Sequence, residues 1–459
     1  MDQKKSTMLE SATIGILGKA LGRLEAGFNG LPDFDQNYDL ERIEAVMMEV
    51  ADLMRDNYPY FHPNYAGQML KPPHPIARLA YMLALWINPN NHALDGGRAS
   101  SQLEKESVAQ IARLFGWESF LGHLTGGGTM ANLEALWIAR QLAPGKKVLA
   151  SEQAHNTHAR VSEVLGVSFQ SVPCDAAARM ELDSLKALLD EGDVGTVVAT
   201  IGTTGTGSVD PLSEIVQLRD RYGFRLHADA AYGGYFSLAS NLDSETAKAF
   251  EALPEVDSIV IDPHKHGLQP YGCGCVLLRD PEVGRYYKHD SPYTYFSSSD
   301  LHLGEISLEC SRAGASAVAL WATLRLMPLV ENGEFARGLS RSRAAALDLY
   351  QRIRSDARFR TFVRPELDIV VWTPAGRTAG EISERSASMF RAAAAEDLHL
   401  ATLRYPASLL RRAWDDVEFD QDSVLCLRSC LMKPEHYDWV GRIWSVLDKV
   451  ANSGGERNG

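Results

Sequence analysis

The chain has 459 residues, of which 45% are hydrophobic and 23% charged, and its formal net charge is -13 at pH 7. That length is too great for one small core, so the prior is a soluble globular protein of two or three subdomains. The negative balance argues against a nucleic-acid surface, while charge over a large surface does not determine what a pocket takes.

Six cysteines, Cys174, Cys273, Cys275, Cys310, Cys426 and Cys430, show no repeated CxxC. They read as reduced thiols of a cytoplasmic protein, not as a disulfide framework. Cys273 and Cys275 lie near Lys265, but no clustered His/Cys set accompanies them; they read as core filling, and no metal site is assigned. The opening MDQKKSTMLES carries no apolar run of the signal-peptide kind. The most apolar window, Leu79 to Ile87, stops at Asn88-Pro89, short of the ~20 residues of a bilayer span, and reads as a core helix. No membrane partner is expected.

Residues 8–57 read as two helices separated by Gly27 to Asp33; in the second, Leu40, Ile43, Met47, Val50 and Met54 recur at helical spacing. The prolines of FHPNYAGQMLKPPHP, residues 61–75, exclude regular structure through most of it, and its His62, Asn64, Tyr65 and Gln68 suit a pocket wall. A helix follows from residue 76 to Trp86. Beyond it, Ser100 or Ser101 is the expected N-cap of the next helix, with Glu104 completing a capping box.

The character changes at Leu121. Leu124-Thr125-Gly126-Gly127-Gly128-Thr129 precedes a helix over Met130 to Gln141; glycines that open a helix present free N–H groups and the positive end of its dipole, a place for a phosphate. A flexible turn is the plain alternative, and the stretch is neither a Walker A loop nor a dinucleotide fingerprint. Short apolar runs then alternate with helices: Lys147 to Ala150, Val194 to Ile201, Phe224 to Ala228, Ser258 to Ile261 and Cys275 to Leu278 read as strands, and Leu182 to Leu189 and Leu212 to Tyr222 as helices. Buried, mostly parallel strands with crossover helices explain this, giving an α/β domain with helices on both faces. His155, Thr203, Thr204, Asp229, His264 and Lys265 fall where strands end, the edge at which open α/β sheets bind ligands.

A long helix is expected between Leu329 and Arg354. Phe362, Leu367 to Trp372 and Val424 to Ser429 are strand-like, between helices over Gly380 to Ala394 and Tyr437 to Val450, and residues 452–459 should fray. The expected divisions are a helical N-terminal segment (1–95), the α/β domain (96–330) and a small C-terminal α+β domain (331–459).

Two strand ends carry the chemistry. In Asp262-Pro263-His264-Lys265 a lysine follows a buried run, where partial desolvation favours a nucleophilic amine. In HADAAYGG a carboxylate, Asp229, ends a strand 36 residues earlier (265 minus 229), before small residues that admit a flat ring.

A glycine-rich turn, a histidine, HADAA and an apolar strand ending in PHK, in that order, resemble the pyridoxal-phosphate enzymes of fold type I. The closer resemblance is to the group II amino-acid decarboxylases, with a weaker likeness to archaeal tyrosine/aspartate decarboxylases; it runs from about His62 to Leu326, with a fainter match at Leu427-Arg428. The resemblance implies a homodimer with its active sites at the subunit interface and pyridoxal 5'-phosphate as cofactor, held by Lys265 as an aldimine through which CO2 is lost to a quinonoid. Asp229 would pair with the pyridine nitrogen and stay ionised, because its partner is a cation. Ala231 would pack on one ring face and His155 on the other. Gly127, Gly128, Thr129 and His264 would hold the phosphate, and Thr204 would bond the ring oxygen or the substrate carboxylate. Either Tyr293 or Tyr295 would return the proton, and Arg428 would meet the substrate carboxylate. Arg98 and Ser101 stand at substrate-side positions; Arg98, where a proline is common, and Gln68 tip the expectation toward an acidic substrate over an aromatic one. Aldehyde synthesis, transamination, carbon-carbon lysis and non-catalytic cofactor binding are the rival readings on the same scaffold.

Overall fold

A computed structural model of the chain describes residues 11–32, 35–288 and 300–455. It opens with α1 (Ser11–Glu25) and α2 (Leu40–Met54). The Asp39 side chain accepts from the Arg42 N–H at 3.0 Å and caps α2. No residue of α2 is buried, so its helically spaced Leu40, Ile43, Met47, Val50 and Met54 lie outside this chain's own core. The proline-rich stretch runs over the C-terminal part, with the Ala66 N–H donating to His399 O and the Cys430 N–H to Ala66 O.

α3 (Pro75–Leu85) starts on a proline, whose missing N–H costs nothing there. α4 (Arg98–Leu114) corrects the expected cap: it begins behind Gly97, and Ser100, Ser101 and Glu104 are buried within it. Ser100 Oγ is taken by Asn91 Oδ1 at 2.5 Å, and Glu104 bonds Asn91 and Arg312. Tertiary partners outcompete the local capping geometry.

The α/β part follows as β1 (Leu121–Thr125), α5 (Gly128–Leu142), β2 (Lys147–Ser151), α6 (Thr157–Leu165), β3 (Phe169–Val172), α7 (Leu182–Glu191), β4 (Val194–Thr200), α8 (Leu212–Tyr222), β5 (Arg225–Asp229), α9 (Ser244–Glu251), β6 (Ser258–Ile261) and β7 (Gly274–Leu278). The strands form one sheet in the order β1-β7-β6-β5-β4-β2-β3. All neighbours are parallel except β7, which runs against both β6 and β1. Alternate residues leave opposite faces. Leu149, Val197, Leu226 and Ile259 enter the large core with Leu185 of α7 and Ile215 of α8, whereas Val148, Val198 and Val260 pack toward α5 residues such as Leu136 and Ile138. Apolar residues on both faces are what a sheet covered on both sides requires.

The chain continues as α10 (Gly314–Leu326), α11 (Glu334–Arg354), β8 (Phe359–Thr361), β9 (Ile369–Pro374), α12 (Ala379–Ala395), β10 (Ala401–Pro406), α13 (Ala407–Leu410), β11 (Ser423–Cys430) and α14 (His436–Gly455). The strands make an antiparallel sheet, β10-β11-β9-β8. Trp372, Leu349, Leu427 and Leu447 form a second core between this sheet and the helices. α14 runs to Gly455, past Asn452, where fraying was expected. Among the described residues no helix is long and apolar enough to cross a membrane.

Candidate active site

β2, β4, β5 and β6 are parallel, and β1 shares their sense because both β1 and β6 oppose β7. All five therefore deliver their C-terminal ends to one edge. A cavity of about 540 Å³ opens there, and its wall contains Gly127, Gly128, Thr129, His155, Thr204, Asp229, Ala231, His264 and Lys265. Nine of the residues expected at the site, from five strand ends, thus meet in one place.

The glycine turn leads from β1 into α5. Gly127 has φ of 151°, a conformation that favours glycine, and a Cβ on Gly274 would lie 2.6 Å from the Gly127 carbonyl carbon, so β7 can pass under the turn only without a side chain. Among the described residues nothing accepts from the N–H groups of Gly128, Thr129 and Met130, the first turn of α5. They stand free for an anion. β1 is fixed from below: Glu104 Oε1 accepts the Leu124 N–H at 3.0 Å, and Arg312 Nη1 donates to Glu104 Oε1 at 2.6 Å and to Leu124 O at 2.7 Å.

Asp229 is buried at the end of β5. Its Oδ2 lies 2.8 Å from Nε2 of the fully buried His158, and its Oδ1 accepts the Ala231 N–H at 3.2 Å. Burial works to raise this carboxyl, but the His158 hydrogen bond and the nearby Lys265 charge outweigh it and hold Asp229 well below the usual carboxylate range. It is ionised, as a partner for a protonated ring nitrogen must be. Below it, His227 bridges Asn132 Oδ1 and Ser258 Oγ, both at 2.9 Å, and burial lowers its imidazole to about 3, so it is neutral.

His155 Nδ1 accepts from the Thr157 N–H at 3.2 Å and lies 2.7 Å from Thr157 Oγ1. An N–H donor requires Nδ1 to be unprotonated, so the neutral ring carries its proton on Nε2. Partial burial, joined by the Lys265 charge, pushes His155 down and favours that neutral form. Lys265 Nζ sits 3.0 Å from Asp262 Oδ2, and His264 donates from Nδ1 to Cys273 O at 2.8 Å. Cys273 and Cys275 are buried, and burial pushes both thiols up, which keeps them protonated.

The substrate-side residues divide. Arg428 Nη1 donates to Thr204 O at 2.8 Å and its Nη2 bonds Gln68 Oε1, which ties a C-terminal arginine to the cavity through Thr204. Arg98 is exposed at the start of α4, and Ser101 is buried within it with an Oγ that has no partner among the described residues; neither belongs to the cavity wall. His62 packs edge-on against Trp439 instead of lining the cavity. Tyr293 and Tyr295 lie outside the described residues.

Three residues at the site had no role assigned from the sequence. His158 lies three residues after His155, in the first turn of α6, where it bonds the buried Asp229. Asp262 stood in the lysine motif itself. Asp368, which accepts from Tyr232 OH at 2.5 Å and faces His266 Nε2 at 3.2 Å, had no sequence signal, being 136 residues from Tyr232.

The residues fit pyridoxal phosphate. The cavity offers free helix N–H groups for a phosphate, an ionised carboxylate for a ring nitrogen, Ala231 and His155 for ring faces, and a lysine amine for the aldehyde. Residues 32–373 match the family described as pyridoxal-dependent decarboxylase conserved domain. The chain is 29% identical over 325 residues to a probable L-tyrosine/L-aspartate decarboxylase of Methanothermobacter thermautotrophicus, covering 70% of this chain and 85% of that one. It is 30% identical over 285 residues to an L-aspartate decarboxylase of Thermococcus kodakarensis (61% and 72%) and 29% identical over 390 residues to an L-tyrosine decarboxylase of Enterococcus faecium (63% and 64%). Among solved structures the fold is similar to Oryza sativa TDC with PLP and tryptamine, at a TM-score of 0.76 and 18% identity, over 97% of this chain and 99% of that one. It is equally similar to mouse CSAD, with a TM-score of 0.76 and 19% identity over 94% and 92%. Matched over most of its length, the chain belongs to the pyridoxal-dependent decarboxylase family, and it is an amino-acid decarboxylase of fold type I that uses pyridoxal phosphate.

Proposed function

We propose that the enzyme removes the α-carboxylate of an L-amino acid with an acidic side chain, releasing CO2 and the amine. The observation that carries this reading is the convergence of Lys265, Asp229, His155 and three free helix N–H groups on one cavity. When bound, pyridoxal phosphate supplies an electron sink for the charge left by CO2. Lys265 would hold the cofactor through its aldehyde carbon, and Asp229 would keep the proton on its ring nitrogen. The free N–H groups at Gly128 and Thr129, with His264, bind the phosphate. His155 presents Nε2–H across the ring and orients the leaving carboxylate. Thr204 and Arg428 position the substrate, and Tyr293 or Tyr295 gives the α-carbon its proton.

The acidic preference draws on the Gln68–Arg428 pair and on relatives named for aspartate. Arg98, exposed at the start of α4, is assigned to the substrate side through the subunit interface of a homodimer, to which the exposed apolar face of α2 is suited, whereas Ser101, buried within α4, is given no such part. The cytoplasmic location and the divisions 1–95, 96–330 and 331–459 belong to the same reading; the six cysteines are all free.

CO2 release from a panel of amino acids tests the reading: acidic substrates should turn over fastest, and release from none would end it. Borohydride treatment of the loaded protein should fix a pyridoxyl group on Lys265, seen by peptide mass. The aldehyde-forming alternative has a neighbour of similar fold, Rhodiola rosea 4-hydroxyphenylacetaldehyde synthase, at a TM-score of 0.74 and 17% identity. Replacement of the proton-donating tyrosine, Tyr293→Phe or Tyr295→Phe but not both, should move product from amine toward aldehyde. Unchanged amine yield in both variants rejects that role.

A further inference from the structure

We propose that Asp368, a carboxylate of the C-terminal part, is a positioning residue for Lys265: it pins to one point the two turns that must address opposite ends of the cofactor ring. The inference rests on the cofactor reading above and concerns a residue to which that reading gives no part. The turn after β5 follows Asp229, the partner for the ring nitrogen, and carries Ala231, for a ring face, and then Tyr232, which also stands in the cavity wall. The turn after β6 carries Lys265, for the aldehyde, and then His266. Tyr232 OH donates to Asp368 Oδ1 at 2.5 Å, and His266 Nε2 lies 3.2 Å from Asp368 Oδ2. The Tyr232 and His266 rings also meet edge-on, with centroids 4.8 Å apart. All three residues are buried.

Asp368 acts from a fixed base. Its carbonyl accepts the Leu431 N–H at 2.8 Å, and the next residue, Ile369, opens β9 in register with Cys430 of β11. Before it, Leu367 packs so closely on the turns after β4 and β5 that a Cβ on Gly202 or Gly233 would lie 2.8 or 3.0 Å from its Cδ1. Burial works to raise the Asp368 carboxyl, but His266 and the Tyr232 hydrogen bond outweigh it and hold the group below its ordinary value, so it is ionised. Burial raises Tyr232, which keeps its proton to donate. A buried anion flanked by two such groups restrains both. The consequence is geometric. Phosphate and ring nitrogen draw chiefly on the glycine turn and on Asp229, which His158 holds independently; aldehyde capture needs Lys265 in register with both. In that step the Lys265 amine adds to the aldehyde carbon, a C=N bond forms and the aldehyde oxygen leaves as water. A shift of about 1 Å can cost such a step about a hundredfold.

The test compares two ligands on the cofactor-free protein: pyridoxine 5'-phosphate, which has no aldehyde, by calorimetry, and pyridoxal phosphate, by absorbance and by borohydride trapping on Lys265. In Asp368→Ala the first should bind within about twofold of wild type, while capture of the second should weaken by about tenfold to a hundredfold. Asp368→Asn keeps an acceptor for Tyr232 OH in the same place and should recover most of the capture. Tyr232→Phe removes one of the two partners and serves as the second variant should the alanine protein not fold, with the same selective loss expected. Equal weakening of both ligands, as a merely structural role would give, overturns the inference and leaves the cofactor reading standing. So does capture at the wild-type level, or an asparagine variant as impaired as the alanine one. Failure of the wild type to bind either ligand overturns the cofactor reading and this inference with it.

Discussion

Replacing Arg312 with methionine should loosen the strand that carries the glycine turn, because the charge removed is a buried one. The Arg312 and Glu104 side chains are 6% and 2% exposed, against the largely exposed pairs of the surface such as Arg55–Asp52. An exposed pair contributes about 0–1 kcal/mol, whereas stranding one member of a buried pair costs roughly 3–5 kcal/mol. Glu104 would keep the Leu124 N–H and Asn91 but lose its cation, and Leu124 O would lose its donor. If that cost falls on local opening of β1, hydrogen exchange of the peptide containing Leu121 to Thr125 should accelerate by about two to four decades. The double variant Glu104→Met/Arg312→Met should recover part of the protection, because both charges leave together. Exchange in β1 that stays at the wild-type rate in Arg312→Met would refute the claim that this pair anchors the strand.

Gly128→Ala puts a methyl 2.7 Å from Asp262 Oδ2 and must displace the carboxylate that Lys265 rests on; overpacking of about 1–3 kcal/mol predicts pyridoxal phosphate affinity down by about tenfold to a hundredfold, and an unchanged absorbance titration contradicts it. His158→Leu removes the hydrogen bond to buried Asp229 and should destabilise the fold by roughly 1–3 kcal/mol in thermal unfolding, with His158→Gln restoring much of it; equal loss in both would point to packing alone. His227 and His436, each lowered by burial to about 3, stay neutral in the fold and titrate near 6.5 when unfolded, so between those values the unfolded chain holds more protons. Stability is therefore full above about pH 6.5 and falls as pH drops toward 3, by about 1.4 kcal/mol per unit for each histidine; His227→Asn should reduce that slope by one proton in urea unfolding followed against pH, and an unaltered slope argues against a buried neutral His227.

The strands that the sequence revealed are those inside the sheets. β2, β4, β5, β6, β7, β9 and β11 have apolar neighbours on both sides and read as apolar runs. The unforeseen strands, β1, β3, β8 and β10, are the outer strands of the two sheets. An edge strand is half solvated, so Phe169–Val172 or Ala401–Pro406 mixes polar and apolar residues and does not stand out from a loop. The helix cap misread at Ser100 and Ser101 has a related cause: a capping box is local, and the groups that engage Ser100 and Glu104 instead are Asn91 and Arg312, the second over 200 residues away.

Motif order in the chain sufficed for the family, the cofactor and the group of residues that meet at the sheet edge, because a lysine, a carboxylate and a glycine turn that opens a helix each stand at a strand end. The charge balance around those groups was decided only by the tertiary structure. Asp229 is ionised because His158 reaches it from α6, Arg428 meets Gln68 and Thr204 across the two sheets, and Asp262 abuts Gly128 because β6 and β1 end at the same edge. Such contacts depend on distances of a few ångströms between segments remote in sequence, and no local pattern encodes them.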